Sequence, residues 1–131
     1  MKKAAGKRAR RYINIGGRPA TLPFSDGVLI GDTLFLSGRI GIDPHTMQAA
    51  ADVDDEIRLM LDGVRSTLEA VEMTMDDLVF VQVYCTDLSL YDKFNTAYRK
   101  YFKGDLPARA FLGAGSLLRG ARFEMQAIAM R

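Results

Sequence analysis

The sequence predicts an α+β fold, a mixed β-sheet with two helices packed on one of its faces. The first observation behind it is a run of apolar residues at three- and four-residue steps. Val53, Ile57, Met60, Leu61, Val64, Leu68 and Val71 fall on one side of a helix. The second is alternation in two later segments. Val79, Val81, Val83 and Cys85 interleave with Phe80, Gln82, Tyr84 and Thr86, and Phe123, Met125, Ala127 and Ala129 interleave with Glu124, Gln126, Ile128 and Met130. The third is the element order: strand, strand, helix, strand, helix, strand, strand. Two helices can shield only one side of such a sheet.

The chain opens with a basic arm over residues 1–11, which carries Lys2, Lys3, Lys7, Arg8, Arg10 and Arg11 and no acid. Removing those six from the 18 basic residues leaves 12 against 16 acidic, a body of net −4 beneath an overall +2. The arm reads as a solvated tail, with contact to nucleic acid or an acidic partner as the sharper alternative. Residues 12–131 contain no repeat or linker and read as one domain. Gly16-Gly17-Arg18-Pro19 and Leu22-Pro23 punctuate an irregular entry segment. Residues 27–30 and 33–37 then read as two strands joined across Gly31-Asp32, where glycine supplies the positive φ of a tight hairpin. Asp43-Pro44-His45-Thr46 closes the next loop.

Asp52 is the expected N-cap of the first helix, with Asp54, Asp55 and Glu56 in the first turn, where the helix dipole favours acids. The strand over 79–86 follows. A second helix is expected over about 90–102, capped by Asp87 or Ser89, with Tyr91, Phe94, Tyr98, Tyr101 and Phe102 turned inward. Another strand begins near Pro107, and the last covers 122–130. Phe80, Tyr84, Ile128 and Met130 fall on the sheet face that no helix covers, so self-association is expected to bury them.

Composition narrows the function classes. With 131 residues, 48% hydrophobic and 26% charged, the chain can bury one core without staples. Its apolar runs are too short to cross a bilayer and no apolar signal segment opens it, so a cytoplasmic location is expected. One cysteine, Cys85, and one histidine, His45, make neither an internal disulfide nor a Cys/His zinc site, and no metal or cofactor is expected. Cys85, set among valines, reads as core. His45 reads as a surface loop residue, and the Tyr91, Tyr98, Tyr101 series as packing rather than a base-stacking set.

The candidate chemistry lies near the C-terminus. Arg109, at the start of a strand, offers a planar fork that fits a carboxylate with two parallel hydrogen bonds. Glu124 lies on the following strand, on the face opposite Phe123 and Met125. If those two strands are antiparallel neighbours, Arg109 and Glu124 come near each other, on one chain or across a subunit contact. Ser37-Gly38 ends the second strand, where glycine lets a ligand approach the backbone. From local pattern alone, a plain ion pair is the commoner reading of such an arginine and glutamate.

Five stretches carry a resemblance: Leu36-Ser37-Gly38, Val83-Tyr84-Cys85-Thr86-Asp87-Leu88, Phe94-Asn95-Thr96-Ala97-Tyr98, Leu106-Pro107-Ala108-Arg109-Ala110 and Phe123-Glu124-Met125-Gln126-Ala127-Ile128-Ala129. In order and spacing they resemble the Rid (YjgF-like) imine/enamine deaminase family, also called the endoribonuclease L-PSP or translation initiation inhibitor family, over about residues 17–131. The resemblance implies a chorismate-mutase-like subunit that assembles as a homotrimer with ligand clefts between neighbours. It implies a hydrolase that detoxifies reactive intermediates. Imines or enamines resembling 2-iminopropanoate or 2-iminobutanoate would be converted to 2-keto acids and ammonia.

Carried over residue by residue, Arg109 matches the arginine that holds the substrate carboxylate, and Glu124 the glutamate that positions or activates water. Ser37 and Gly38 match the segment lining the cleft. Three substrate-site positions depart from the family pattern. Phe24 stands where a tyrosine is common, Arg39 where glutamine follows Ser-Gly, and Phe111 where a cysteine is common two places after the arginine. Gly113 through Leu118 also replaces a usual β-branched and polar stretch. These departures bear on substrate identity more than on reaction class. Two other readings stay open: an RNA-binding or endoribonuclease-type translation inhibitor, and a non-catalytic trimer that binds small carboxylates through Arg109. The basic arm favours the first, but the sequence shows no histidine pair, carboxylate cluster or aromatic sheet platform for it.

Overall fold

Alternating apolar residues build a six-stranded mixed sheet in the computed structural model, which describes residues 8–131. Its strands are β1 (Arg10–Ile13), β2 (Gly27–Ile30), β3 (Thr33–Arg39), β6 (Leu78–Cys85), β7 (Ala108–Gly113) and β8 (Phe123–Met130). Their spatial order is β1-β2-β3-β8-β6-β7, and only β6 and β7 run parallel. Two short strands, β4 (Ile42–Asp43) and β5 (Gln48–Ala49), form a separate hairpin. Helices α1 (Val53–Glu69) and α2 (Tyr91–Arg99) complete the expected α+β architecture.

Period-2 patterning sends Leu34, Leu36, Val81, Val83, Cys85, Phe123 and Met125 to one face. There they meet Ile57, Met60, Leu61, Val64 and Leu68 of α1 and Phe94 and Tyr98 of α2 in a single core. Asp52 caps α1 as expected, accepting from the Asp55 amide at 3.0 Å. Gly31 takes φ 57° in the β2–β3 turn, the conformation the hairpin demanded of it. Cys85 is fully buried, and His45 is exposed in its loop.

Several expectations need correcting. The arm boundary at residue 11 falls inside a strand, because Arg10 and Arg11 pair with Ile30 and Leu29 as part of β1. The remainder of the arm, 1–7, lies outside the described residues. Val79 does not join the buried set. A register shift between Leu78 and Phe80 turns both Val79 and Phe80 outward, and Leu78 takes the core position instead. The second helix is shorter than its aromatic spacing suggested. Residues 88–90 form a separate 3-10 turn capped by Asp87, and the chain leaves α2 at Lys100.

Glu56 is not merely a solvated first-turn acid. It is fully buried, and its Oε2 accepts from the amides of Arg122 at 2.7 Å and Phe123 at 3.1 Å. Its Oε1 accepts from Arg122 Nε at 2.7 Å, while Arg122 Nη2 donates to the carbonyls of Ala50 and Ala51. This pair fastens the start of β8 to α1, and three donors offset its burial.

The other face of the sheet has no helix over it. Phe35, Phe80, Leu112 and Met130 are each between 37% and 50% exposed there, beside half-buried Tyr84 and Ile128. The under-covered apolar face read from the sequence is present. No helix is long and apolar enough to cross a membrane among the described residues.

Candidate active site

Register decides which way each candidate residue points. Arg109 pairs with Val81, a core residue, so its side chain turns to the helical face and reaches under α2. Its Nη2 donates to Asn95 Oδ1 at 2.8 Å. The guanidinium carbon lies 4.8 Å from the ring centre of Tyr98, 5.2 Å from Phe111, 5.7 Å from Tyr91 and 5.9 Å from Phe94. These aromatic faces hold the cation by its charge and leave much of the planar fork free for hydrogen bonds. No carboxylate of the described residues forms an ion pair with Arg109. It opens on a pocket of about 180 Å³ that Asn95, Tyr98, Arg99 and Pro107 also line.

Burial shapes this pocket's chemistry. Tyr98 is 3% exposed, and its hydroxyl has no hydrogen-bond partner among the described residues. Desolvation pushes that phenol up to about 12, with the Arg109 charge pulling against it, so it stays protonated at neutral pH. Phe111 stands edge-on to Tyr91 and Phe94, with ring centres 5.0 and 5.4 Å away. It is therefore a wall of the arginine's aromatic cage.

Glu124 occupies the opposite face. Its register partner is Tyr84, whose partner on β7 is Leu112, all on the uncovered side. The β3–β8 register shifts between Leu36 and Arg39, which leaves Ser37-Gly38 bulged beside Glu124. A Cβ at position 38 would lie 3.1 Å from Glu124 Cδ and closer still to Oε1, so only glycine lets the carboxylate lie where it does. Ser37 Oγ donates to the Ser25 carbonyl, and the Ser37 amide donates to the Asp26 carbonyl at 3.0 Å. The entry segment is thus strapped against the bulge. It forms a cleft of about 460 Å³ in which Phe24, 47% exposed, lies 5.2 Å from the Arg18 guanidinium.

Arg39 is not brought to this group. Past the bulge its side chain returns to the helical face, lies against Gly63 and donates to Thr67 Oγ1 at 3.2 Å. Its Nη2 also comes within 3.9 Å of Asp26 Oδ1, the atom that Arg18 approaches at 3.3 Å. Arg39 braces the entry segment from behind.

The condition that would bring Arg109 and Glu124 together within one chain, antiparallel pairing of β7 with β8, is not met. β6 lies between β7 and β8, because the β6–α2–β7 crossover lays β7 parallel along the outer edge. Arg109 and Glu124 sit on opposite faces of the sheet with a strand between them. A small ligand cannot touch both in one protomer. Asn95 carried no assigned role in the sequence reading, and Tyr98 was read as packing rather than as part of a site. Their signal was available, since 91, 95 and 98 share one helical face. Among the described residues, no group of three or more His, Cys, Asp or Glu side chains could hold a metal ion.

Comparison with known proteins matches residues 16–131 to the family model for endoribonuclease L-PSP. The human 2-iminobutanoate/2-iminopropanoate deaminase is 32% identical over 124 residues, covering 93% of this chain and 90% of that one. A RutC family protein of Saccharolobus solfataricus is 33% identical over 110 residues, covering 83% and 87%. Among solved structures, E. coli TdcF with bound serine superposes with a TM-score of 0.84 at 30% identity, covering 92% of this chain and 98% of that one. The Rid-family protein YyfA of Yersinia pestis gives 0.85 at 28%, covering 94% and 100%. By its match over residues 16–131 and its likeness to these relatives, the chain belongs to the endoribonuclease L-PSP (YjgF/Rid) family.

Proposed function

We propose that this protein hydrolyses small 2-imino acids to 2-keto acids and ammonia in a cleft between protomers of a homotrimer. The observation that carries the reading is Arg109. It is a half-buried cation held by Asn95 and four aromatic rings, with no ion-pair partner among the described residues. A substrate carboxylate completes that cage with two charge-assisted hydrogen bonds.

The imine carbon then faces Glu124 of the partner subunit. Two facts support this arrangement: the opposite-face placement of the two residues, and the uncovered apolar sheet face that a second protomer would bury. Glu124 takes a proton from a water whose oxygen bonds to the imine carbon, and the C=N π pair moves to nitrogen. The carbinolamine's C–N bond then breaks as its hydroxyl proton passes to the carboxylate that Glu124 becomes on protonating the amine, and the O–H pair forms the C=O bond. Ammonia leaves with the electron pair and a proton returned by the glutamate. A protonated imine is already electrophilic, so positioning and general-base help suffice. The named activity of the human relative and the serine in TdcF, a small molecule with a carboxylate, support the substrate class.

The test is release of ammonia and 2-keto acid from imines generated in situ by an amino-acid oxidase. Arg109→Ala and Glu124→Gln should each lower kcat/KM by about 10²-fold or more while the assembly stays intact. Wild-type rates in both variants would overturn the proposal.

A further inference from the structure

We infer that the Arg109 pocket selects substrates with two acid groups, and that Arg99 is the residue that selects them. This rests on the deaminase reading above and names its substrate class. Arg99 sits four residues beyond Asn95, one turn along α2, and lines the same pocket of about 180 Å³ as Arg109. No acidic side chain lines that pocket.

Six other arginines of the folded body approach carboxylates, while among the described residues Arg10, Arg11 and Arg119 do not. Arg18 and Arg39 approach Asp26, Arg58 and Arg65 pair along α1, Arg122 pairs with Glu56, and Arg131 with Asp32. Among the described residues, neither Arg99 nor Arg109 forms an ion pair. Arg109 is half-buried and Arg99 is exposed, and two like charges lining one small pocket repel each other. One carboxylate balances one of them, and a second acid at the far end of a short chain balances the other. The space falls below the roughly 300–1,000 Å³ of pockets that enclose drug-sized ligands, so it suits a compact anion. Four- or five-carbon 2-imino diacids, the imines of aspartate- or glutamate-like amino acids, meet both conditions.

Arg99 also stands in the last turn of α2, where a cation favours the helix dipole. That role is purely structural and predicts no preference between ligands. The experiment separates the two. Kinetics on imines made in situ from alanine and from aspartate are compared for wild type, Arg99→Gln and Arg99→Lys. Affinities for 2-oxopentanoate and 2-oxoglutarate are measured alongside by calorimetry.

Wild type should prefer the diacid in both assays. Arg99→Gln should lower kcat/KM for the diacid about tenfold, mainly through KM, and leave the monoacid within about twofold; Arg99→Lys should restore most of the loss. An equal loss on both substrates, or an unchanged ratio, would overturn the selection by Arg99. Failure of wild type to hydrolyse either imine would instead overturn the deaminase reading, and the inference with it.

Discussion

An alanine at position 38 would displace the Glu124 carboxylate without deleting any functional group. Its Cβ would lie 3.1 Å from Glu124 Cδ, whereas carbon atoms settle at about 3.5–4.0 Å. That contact alone demands a retreat of about 0.4–0.9 Å and the nearer Oε1 brings it to roughly 1 Å, a misplacement that costs on the order of 10²-fold in rate when it moves a reacting group. Position 38 has no positive φ and is exposed, so the backbone bears no strain and the moving atoms are the tip of a flexible side chain. Gly38→Ala should thus keep its fold, with Tm shifted by only a few degrees, about the effect of 1 kcal/mol. Arg109 is untouched, so KM should change little while kcat falls. Steady-state ammonia release combined with a melting curve reads both quantities. A kcat within twofold of wild type would refute the role of Glu124 in placing water.

Other expectations concern the groups around the site. Glu56→Gln leaves Arg122 without its carboxylate and should cost about 3 kcal/mol, the low end for a buried pair because the Arg122 side chain is 29% exposed. A denaturant midpoint corresponding to less than 1 kcal/mol would deny the pair its fastening role. Tyr98→Phe removes a buried hydroxyl that lacks a partner and should leave stability unchanged or raise it by about 1 kcal/mol; a clear loss would reveal a partner in the assembly. Burial raises both Tyr98 and Tyr101 from 10.0 to about 12, so the folded state keeps protons that the unfolded state has released. Their contribution is complete below pH 10 and is lost as pH rises toward 12, and Tyr98→Phe should make that alkaline decline shallower.

Much of the fold was legible because it is carried by local periodicity. The apolar face of α1, the Asp52 cap, the Gly31 turn and the alternation of β8 each depend on residues within a few positions of one another. What stayed hidden depends on register and crossover. The extra residue at Val79 and the bulge at Ser37-Gly38 shift which side chains face the core, and no local pattern announces a one-residue slip. The placement of β6 between β8 and β7 likewise comes from long-range pairing, and it separates two candidates that adjacency in sequence had put side by side.

The site divides in the same way. Arg109, Glu124, Ser37 and Gly38 were singled out from motifs as candidates, and the bulge does set Gly38 against Glu124. Arg39 was expected beside the substrate, but the bulge sends it to Thr67. Asn95 was read only as part of a helix, although it holds the key guanidinium. Glu56 looked like an ordinary first-turn acid because its partner, Arg122, lies 66 residues away.

Mixing two inactive variants tests the two-protomer site most directly. Arg109→Ala and Glu124→Gln chains would be unfolded together in equal amounts, refolded, and assayed for ammonia release. In randomly assembled cyclic trimers about one interface in four joins an intact arginine to an intact glutamate, so roughly a quarter of wild-type activity should return. If both residues served one site within a single chain, every site would carry a lesion. A mixture that re-forms trimers yet stays as inactive as its parents would contradict a shared cleft.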